Sequence, residues 1–295
     1  MQIKNIDRLL MFNVQSDQVM TLEQLQAKYH IEPDGTNFYY GINPANVDVF
    51  QATGGAFNPT HKTFFDNLID SLQNSSADEN TLMLGLEPPG KDVVPTNPYG
   101  YVNSHMDLVA QLAKDLAAVQ QRATDAGKRL IVAVRFASEM NDTGQAQGGN
   151  PMAFKVSFAQ VRHTFGESAP DVLLSFSPGL RADLDEALIA QYWPGDEFVD
   201  VIGGTWYIGA PSQRAASMLN MQRYFIHRLG AGKPFALSEM GGANDAQGNG
   251  NDAVLKDMFN QVEALQARNI SFKYLTVFMA SPKWGATATL GFLRT

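Results

Sequence analysis

Two kinds of apolar run alternate along the chain, and that alternation narrows the possible fold more than any other feature. The first kind is short and rich in branched and aromatic residues: "RLLMFNV" (8–14), "TNFYYGI" (36–42), "TLMLGLEP" (81–88), "RLIVAVRF" (129–136), "DVLLSFSP" (171–178), "FVDVIGGTWY" (198–207), "KPFALSE" (233–239) and "ISFKYLTVFMAS" (270–281). Runs of this length and composition are strands. The second kind has helical spacing and occupies 21–30, 60–75, 104–127, 150–167, 184–195, 211–232 and 251–269. Thr21 is placed to cap the first of these and Gly127 to end the third. Strands that are apolar almost throughout belong to parallel sheets covered on both faces. Eight strand–helix units in 295 residues predict an α/β fold, a (β/α)8 TIM barrel formed by residues 1–295 as one domain. A doubly wound open sheet competes, but it usually has fewer strands at this length. A second assignment stays open at the start of the chain, with the first strand at 36–42 and "VDVFQ" (47–51) as the second.

Composition excludes several functions. A net charge of −8 without Lys/Arg-rich runs argues against nucleic acid as a partner. No apolar stretch reaches the roughly 18 residues of a membrane span. The opening residues carry no signal-peptide core, so localisation stays open, with secretion expected for a mature or excised domain. The absence of Cys removes disulfides, thiolate nucleophiles and Cys-ligated metals. The five His, at 30, 61, 105, 163 and 227, form no zinc motif. The polar loop "GGANDAQGNGND" (241–252) matches no calcium-ligand spacing and reads as a strand-to-helix loop. No nucleophile elbow, P-loop or dinucleotide fingerprint occurs. No metal and no cofactor are expected, and a monomer is the expected state.

Chemistry concentrates at "VRFASEMND" (134–142). Strand alternation would point Arg135, Ala137 and Glu139 to one face. In a barrel of this kind the C-terminal strand ends carry the active site. Glu139 ends the fourth strand and Glu239 the seventh, so the two carboxyl groups are expected to face each other across the mouth. A pair roughly 5–5.5 Å apart is the layout of retaining glycoside hydrolysis. Arg135, just below Glu139, would keep a nucleophilic carboxylate ionised and in place.

These residues resemble a known family. "VRFASEMND" is similar to the acid/base segment of family-26 glycoside hydrolases, the β-mannanase family of a barrel clan with two catalytic glutamates. "LMLGLEP", "MAFKVSFAQVRHTFGESAPDVLLSFSP", "YWPGDEFVDVIGGTWY" and "KPFALSEMGG" resemble further family segments, in order, over residues 81 to 285. The resemblance implies a retaining, endo-acting hydrolase of a β-linked polysaccharide, with oligosaccharide or polysaccharide as its partner. It makes Glu139 the acid/base, Glu239 the nucleophile, Arg135 the strand-four arginine and Tyr207 the tyrosine that contacts the nucleophile. Gly203, Thr205 and Tyr207 share one face of their strand, which agrees with that role. Glu87 ends strand three, where it would bind sugar hydroxyls or lie solvated in a loop. Asn141 matches the family's asparagine, with a turn role equally open. The alternative reading is an inactive barrel that binds glycan without cleaving it, but the complete Glu139, Glu239, Arg135 and Tyr207 set favours the enzyme.

Aromatic rings bury the apolar faces of sugars. Trp206, Tyr207, Trp284 and Tyr40 are the candidates near strand ends, whereas Trp193 precedes strand six and reads as structural. "NPYGY" (97–101), in a long loop, is placed to reach over the mouth. The sequence departs from the family at Ser138, where the family has a sugar-binding His, and at "DTGQAQGGN" (142–150), where the family has a Trp-rich segment. A hydroxyl reaches less far than an imidazole and offers a different donor pattern. Sites that hydrogen-bond a sugar hydroxyl discriminate strongly through that bond. Unsubstituted β-1,4-mannan is therefore expected not to be strongly preferred over other β-glycans, such as a bacterial surface polysaccharide. A hydrolysis panel of mannans, glucans, xylans and bacterial exopolysaccharides checks this, and mannan far ahead of all others would refute it.

Overall fold

Strand β3, Glu79–Glu87, shows how the chain divides its side chains. Leu82, Leu84 and Leu86 join a large cluster beneath the helices, while Met83 joins a small separate one on the opposite face. Strand β4, Arg129–Phe136, repeats the pattern. Val132, Val134 and Phe136 face the helices and Ala133 the other side. A strand covered on both faces must be apolar at nearly every position, which accounts for the dense runs in the sequence.

The structure, a computed structural model, describes residues 9–13, 35–41, 65–66, 69–70, 73, 78–88, 97–142, 149–208, 211–242 and 252–278. The remaining strands are β1 (Leu9–Asn13), β2 (Gly35–Gly41), β5 (Leu173–Phe176), β6 (Val201–Ile202), β7 (Thr205–Ile208), β8 (Phe235–Gly242) and β9 (Phe272–Phe278). Every pairing between them is parallel, in the order β6-β5-β4-β3-β2-β1-β9-β8-β7. The sheet curls far enough for Ile202 of β6 to pair with Phe235 of β8. Among the described side chains, Met83, Ala133, Val201, Ala236 and Tyr274 cluster on its inner face, with Leu173 packed against them.

Described helices cover the outer face: α1 (Pro98–Ser104), α2 (Met106–Asp125), α3 (Pro151–Ser168), α4 (Glu186–Tyr192), α5 (Arg214–Ile226) and α6 (Asp252–Gln266). None is long and apolar enough to cross a membrane. The expected helix at 60–75 is represented by helical residues 65–66, 69–70 and 73, with Phe65 and Ile69 buried one turn apart. The expected helix at 21–30, the alternative strand at 47–51 and most of the 241–252 loop lie outside the described residues. The first two strands are those at 9–13 and 35–41.

Two local readings change. Residues 98–104 are a helix and not a loop over the mouth. Pro98 sits at its start, and the Asn97 side chain accepts from Gly100 N at 2.8 Å, a cap the sequence carries in "NP". Tyr99 is core, its ring edge-on to Phe136 and Phe154. The expected sixth strand is split into β6 and β7 by Gly203–Gly204. A Cβ on Gly203 would lie 2.5 Å from both Ser175 Oγ and Ser238 Oγ, and one on Gly204 would lie 2.5 Å from Leu180 Cδ1. These glycines let β6–β7 approach its neighbours where the inner face turns polar. Gly203→Ala is therefore expected to destabilise the fold by about 1–3 kcal/mol through overpacking, read as a lower urea midpoint. A midpoint equal to wild type would refute the tight fit.

Candidate active site

Arg135 sits on the inner face of β4, fully buried. Its register partners are Gly85 on β3 and Ser175 on β5, small residues that leave volume for a guanidinium. A buried guanidinium needs an anion and several acceptors. Its Nη1 donates to Glu239 Oε2 at 2.5 Å and to Thr205 Oγ1 at 3.3 Å. Tyr207 Oη donates to the other oxygen, Glu239 Oε1, at 2.5 Å. Both Glu239 oxygens thus act as acceptors, the bonding pattern of a carboxylate anion.

A local irregularity places Glu239. Between Leu237 and Met240, β8 spends three steps while β9 spends two, from Leu275 to Val277. Such a bulge re-aims a side chain without breaking the sheet. Leu237 and Met240 keep to the outer cluster. Ser238 and Glu239 both meet inner-face partners: Ser238 Oγ lies 3.5 Å from Ser175 Oγ, and Glu239 meets Arg135. Simple alternation would have sent one of them outward.

Glu139 is also placed by an irregularity. Alternation of Arg135, Ala137 and Glu139 does not hold, because β4 ends at Phe136. Ala137 and Glu139 adopt left-handed backbone angles, φ 48° and 54°, and Ala137 packs in the outer cluster. Three successive amides hold this turn. Ala137 N donates to Leu86 O, Ser138 N to the Glu87 carboxylate, and Glu139 N to Ser177 O. Asp142 N closes the turn on Glu139 O at 2.8 Å. Glu139 is half-buried, and its pKa is pushed up to about 7. Loss of water is the main cause, followed by the charge of Glu239. Arg135 opposes the rise, and Glu87 and Asp142 add to it.

The structure brings Arg135, Tyr207, Glu87, Ser138 and Asn141 together with the two glutamates, and Glu87 and Ser138 bond to each other. Glu87 accepts from Ser138 Oγ at 2.5 Å and from Ser138 N at 3.1 and 3.2 Å. It is half-buried but set deep enough for loss of water to raise its pKa, against the pull of Arg135 and the Ser138 donors. Asn141 takes the turn role: its Nδ2 donates to Gly179 O at 3.0 Å and its Oδ1 accepts from Gly179 N at 2.7 Å. Gly179 lies against Glu139: a Cβ there would meet Glu139 Cβ and Cγ at 3.7 Å, an ordinary van der Waals contact.

Trp206 is corrected. It is fully buried on the face opposite Tyr207, and its Nε1 donates to Ser217 Oγ of α5 at 2.9 Å, so it offers no surface to a sugar. Strand alternation explains this, because Thr205 and Tyr207 point inward. Trp193 is structural as expected, edge-on to Phe176 and bonded through Nε1 to Asp196. Tyr40, on β2, pairs in register with Leu86 of β3, but its side chain lies outside the described residues, as does Trp284. Thr205 and the Asp142–Arg181 pair were not singled out in the sequence. Thr205 was detectable from its shared face with Tyr207. Asp142 owes its place to the turn and had no sequence signal. Among the described residues no cluster of His, Asp or Glu is placed to hold a metal ion.

No family model matches the sequence, and no curated protein matches it. Solved structures do. A family-26 β-mannanase from Bacteroides ovatus superposes with a TM-score of 0.70 at 17% identity, covering 99% of this chain and 88% of that one. A family-26 protein from Muricauda sp. gives 0.67 at 13% identity, covering 99% and 85%. A Bacillus subtilis mannanase gives 0.58 at 15% identity, covering 97% and 85%. The structures similar to this chain thus include those of the family its motifs resemble, and at these identities the likeness is one of fold.

Glu139 links this site to stability. A carboxyl whose pKa is about 7 when folded and 4.5 ordinarily binds more protons in the native state over that window. Its contribution to stability is full below pH 4.5 and is lost as pH rises through 7. Glu139→Gln removes this dependence. The variant is expected to unfold at a higher temperature than wild type above pH 7, with the difference vanishing toward pH 4.5. Melting curves across that range check it, and a difference independent of pH would refute the raised pKa.

Proposed function

We propose that the chain is a retaining glycoside hydrolase of family 26, built as one (β/α)8 barrel and cleaving a β-linked polysaccharide internally. The observation that carries this reading is the arrangement around Glu239. A buried arginine and a tyrosine hold its two oxygens, and a second glutamate with a pKa of about 7 stands in its field. A carboxyl group that keeps its proton to near-neutral pH beside a second carboxyl held by an arginine and a tyrosine suits an acid working with a nucleophile. The barrel reading is supported by the all-parallel curled sheet, the Ile202–Phe235 pairing and the fold shared with family-26 structures.

In the first step, a Glu239 oxygen attacks the anomeric carbon. The bond to the leaving oxygen breaks, and that oxygen takes the Glu139 proton. Glu239 is then an ester and no longer charged, so one cause of the raised Glu139 pKa disappears. The Glu139 pKa falls, so the group stays ionised and available as the base for the second step. It takes a proton from water, whose oxygen attacks the same carbon from the opposite face to Glu239 and releases the carboxylate. Two inversions give net retention. Tyr207 and Arg135 hold Glu239 throughout, limiting the reorganisation each step requires. Because Glu139 must be protonated in the free enzyme, kcat/KM is expected to fall above about pH 7.

Azide separates the two roles. With an activated aryl β-glycoside, Glu239→Ala is expected to lose several orders of magnitude in rate, and azide should restore turnover with a glycosyl azide of inverted configuration. Glu139→Ala should keep its first step on the same substrate, and azide should give the retained product. On substrates with poor leaving groups it should lose about 100- to 10,000-fold. The opposite stereochemical pattern would exchange the roles of the two glutamates. Activity that survives both substitutions would overturn the reading.

A further inference from the structure

Glu87 ends a neighbouring strand, yet its carboxylate is directed at the chain segment that carries Glu139. Both of its oxygens accept from Ser138 N, and Oε1 also accepts from Ser138 Oγ. Ser138 lies between Ala137 and Glu139, two non-glycine residues in left-handed conformation. Each such residue costs about 1–2 kcal/mol relative to ordinary backbone, so the turn persists only where its surroundings hold it. The flanking amides, of Ala137 and Glu139, reach backbone carbonyls of β3 and of the segment after β5. The central amide, of Ser138, donates to a side chain, the Glu87 carboxyl group. The Ser138 hydroxyl, which could have faced a sugar, is directed to the same carboxylate.

We infer that Glu87 and Ser138 form a clamp that holds the left-handed turn 137–139 and thereby positions Glu139, so that both are positioning residues for the proton donor. This inference rests on the hydrolase reading of Glu139. It departs from a sugar-binding role for Glu87 and Ser138, because the groups that would contact a sugar are turned toward each other. Glu87 also acts on Glu139 through space, and its charge is among the causes of that residue's raised pKa. Glu87→Gln keeps an acceptor for Ser138 and removes the charge. Glu87→Ala and Ser138→Ala weaken the clamp itself.

The test has two arms on the intact chain. In the first, melting temperatures of paired proteins with and without Glu139→Gln are compared across pH, giving the pH at which Glu139 ionises. In the Glu87→Gln background that pH should fall by about half a unit or more. An unmoved value would overturn the coupling. This arm needs no catalysis. In the second, kcat/KM is measured on 2,4-dinitrophenyl β-mannobioside, whose leaving group needs little acid help, and on mannotetraose, whose leaving group needs it fully. Glu87→Ala and Ser138→Ala should lose about 10- to 100-fold on mannotetraose and at least about tenfold less on the aryl substrate. Glu87→Gln should recover most of the mannotetraose loss near pH 6. Equal losses on both substrates would overturn the clamp in favour of sugar binding. Lower melting temperatures with no change in ionisation or leaving-group dependence would overturn it in favour of a purely structural role. A wild type inactive on both substrates would refute the hydrolase reading on these glycans, and the first arm, run also in the Ser138→Ala background, would then decide the clamp: an unmoved ionisation pH would overturn it.

Discussion

The buried Arg135–Glu239 pair is the interaction on which the site depends. A guanidinium with no exposure on the inner face of a sheet is tolerable only if its charge is met. The surrounding residues show what that requirement costs in packing. Gly85 and Ser175 flank Arg135 in register, and Gly203 and Ser238 stay small beside Ser175. Below this level the inner face is mostly apolar, with Met83, Ala133, Val201 and Ala236. The apolar floor and the polar level above it share the same strands, so the charged site is built directly on the buried sheet. Removing one partner of such a pair leaves a buried charge unmatched, typically about 3–5 kcal/mol.

Two backbone irregularities deliver the glutamates to that level. In β8 an extra residue between Leu237 and Met240 brings Glu239 to the inner face beside Ser238. After β4 a left-handed turn brings Glu139 into the field of Glu239 and Arg135 and sends Ala137 outward. Regular strands place alternate side chains on alternate faces and cannot crowd several functional groups at one end. The deviations relieve that constraint, and neighbouring segments hold the turn after β4 through Leu86 O, Ser177 O, Glu87 and the Asn141–Gly179 pair of hydrogen bonds.

The electrostatics follow from this crowding. Glu87, Glu139, Glu239 and Asp142 act on one another in the field of one buried cation, Arg135. Arg135 and Tyr207 bond directly to Glu239, so Glu239 receives most of the available compensation. Glu139 loses water and feels the neighbouring negative charges, and so keeps its proton to near-neutral pH. Burial is the main cause of the raised Glu139 pKa, followed by the charge of Glu239, and Arg135 opposes the rise.

The order of strands and helices was legible in the sequence because burial on both faces forces continuous apolar runs, and eight of them could be counted. The facing of Gly203, Thr205 and Tyr207 was legible too, since alternation within a regular strand is a local rule. Arg135 stood out because a charge inside an apolar run needs a partner. What the sequence could not carry was the direction of side chains at strand ends. Nothing in "ASEM" marks two left-handed residues, since Ala and Glu rarely adopt that conformation, and nothing in "LSEM" marks a bulge. Likewise Trp206 read as a candidate sugar platform from its strand-end position, until the packing of α5 against its strand assigned it to the core. Ser138 read as a shortened sugar contact, whereas its partner Glu87 lies 51 residues away in the chain. Apolar periodicity is a property of each segment alone. The aim of a functional side chain depends on hydrogen bonds from neighbouring strands, and only the tertiary structure brings those together.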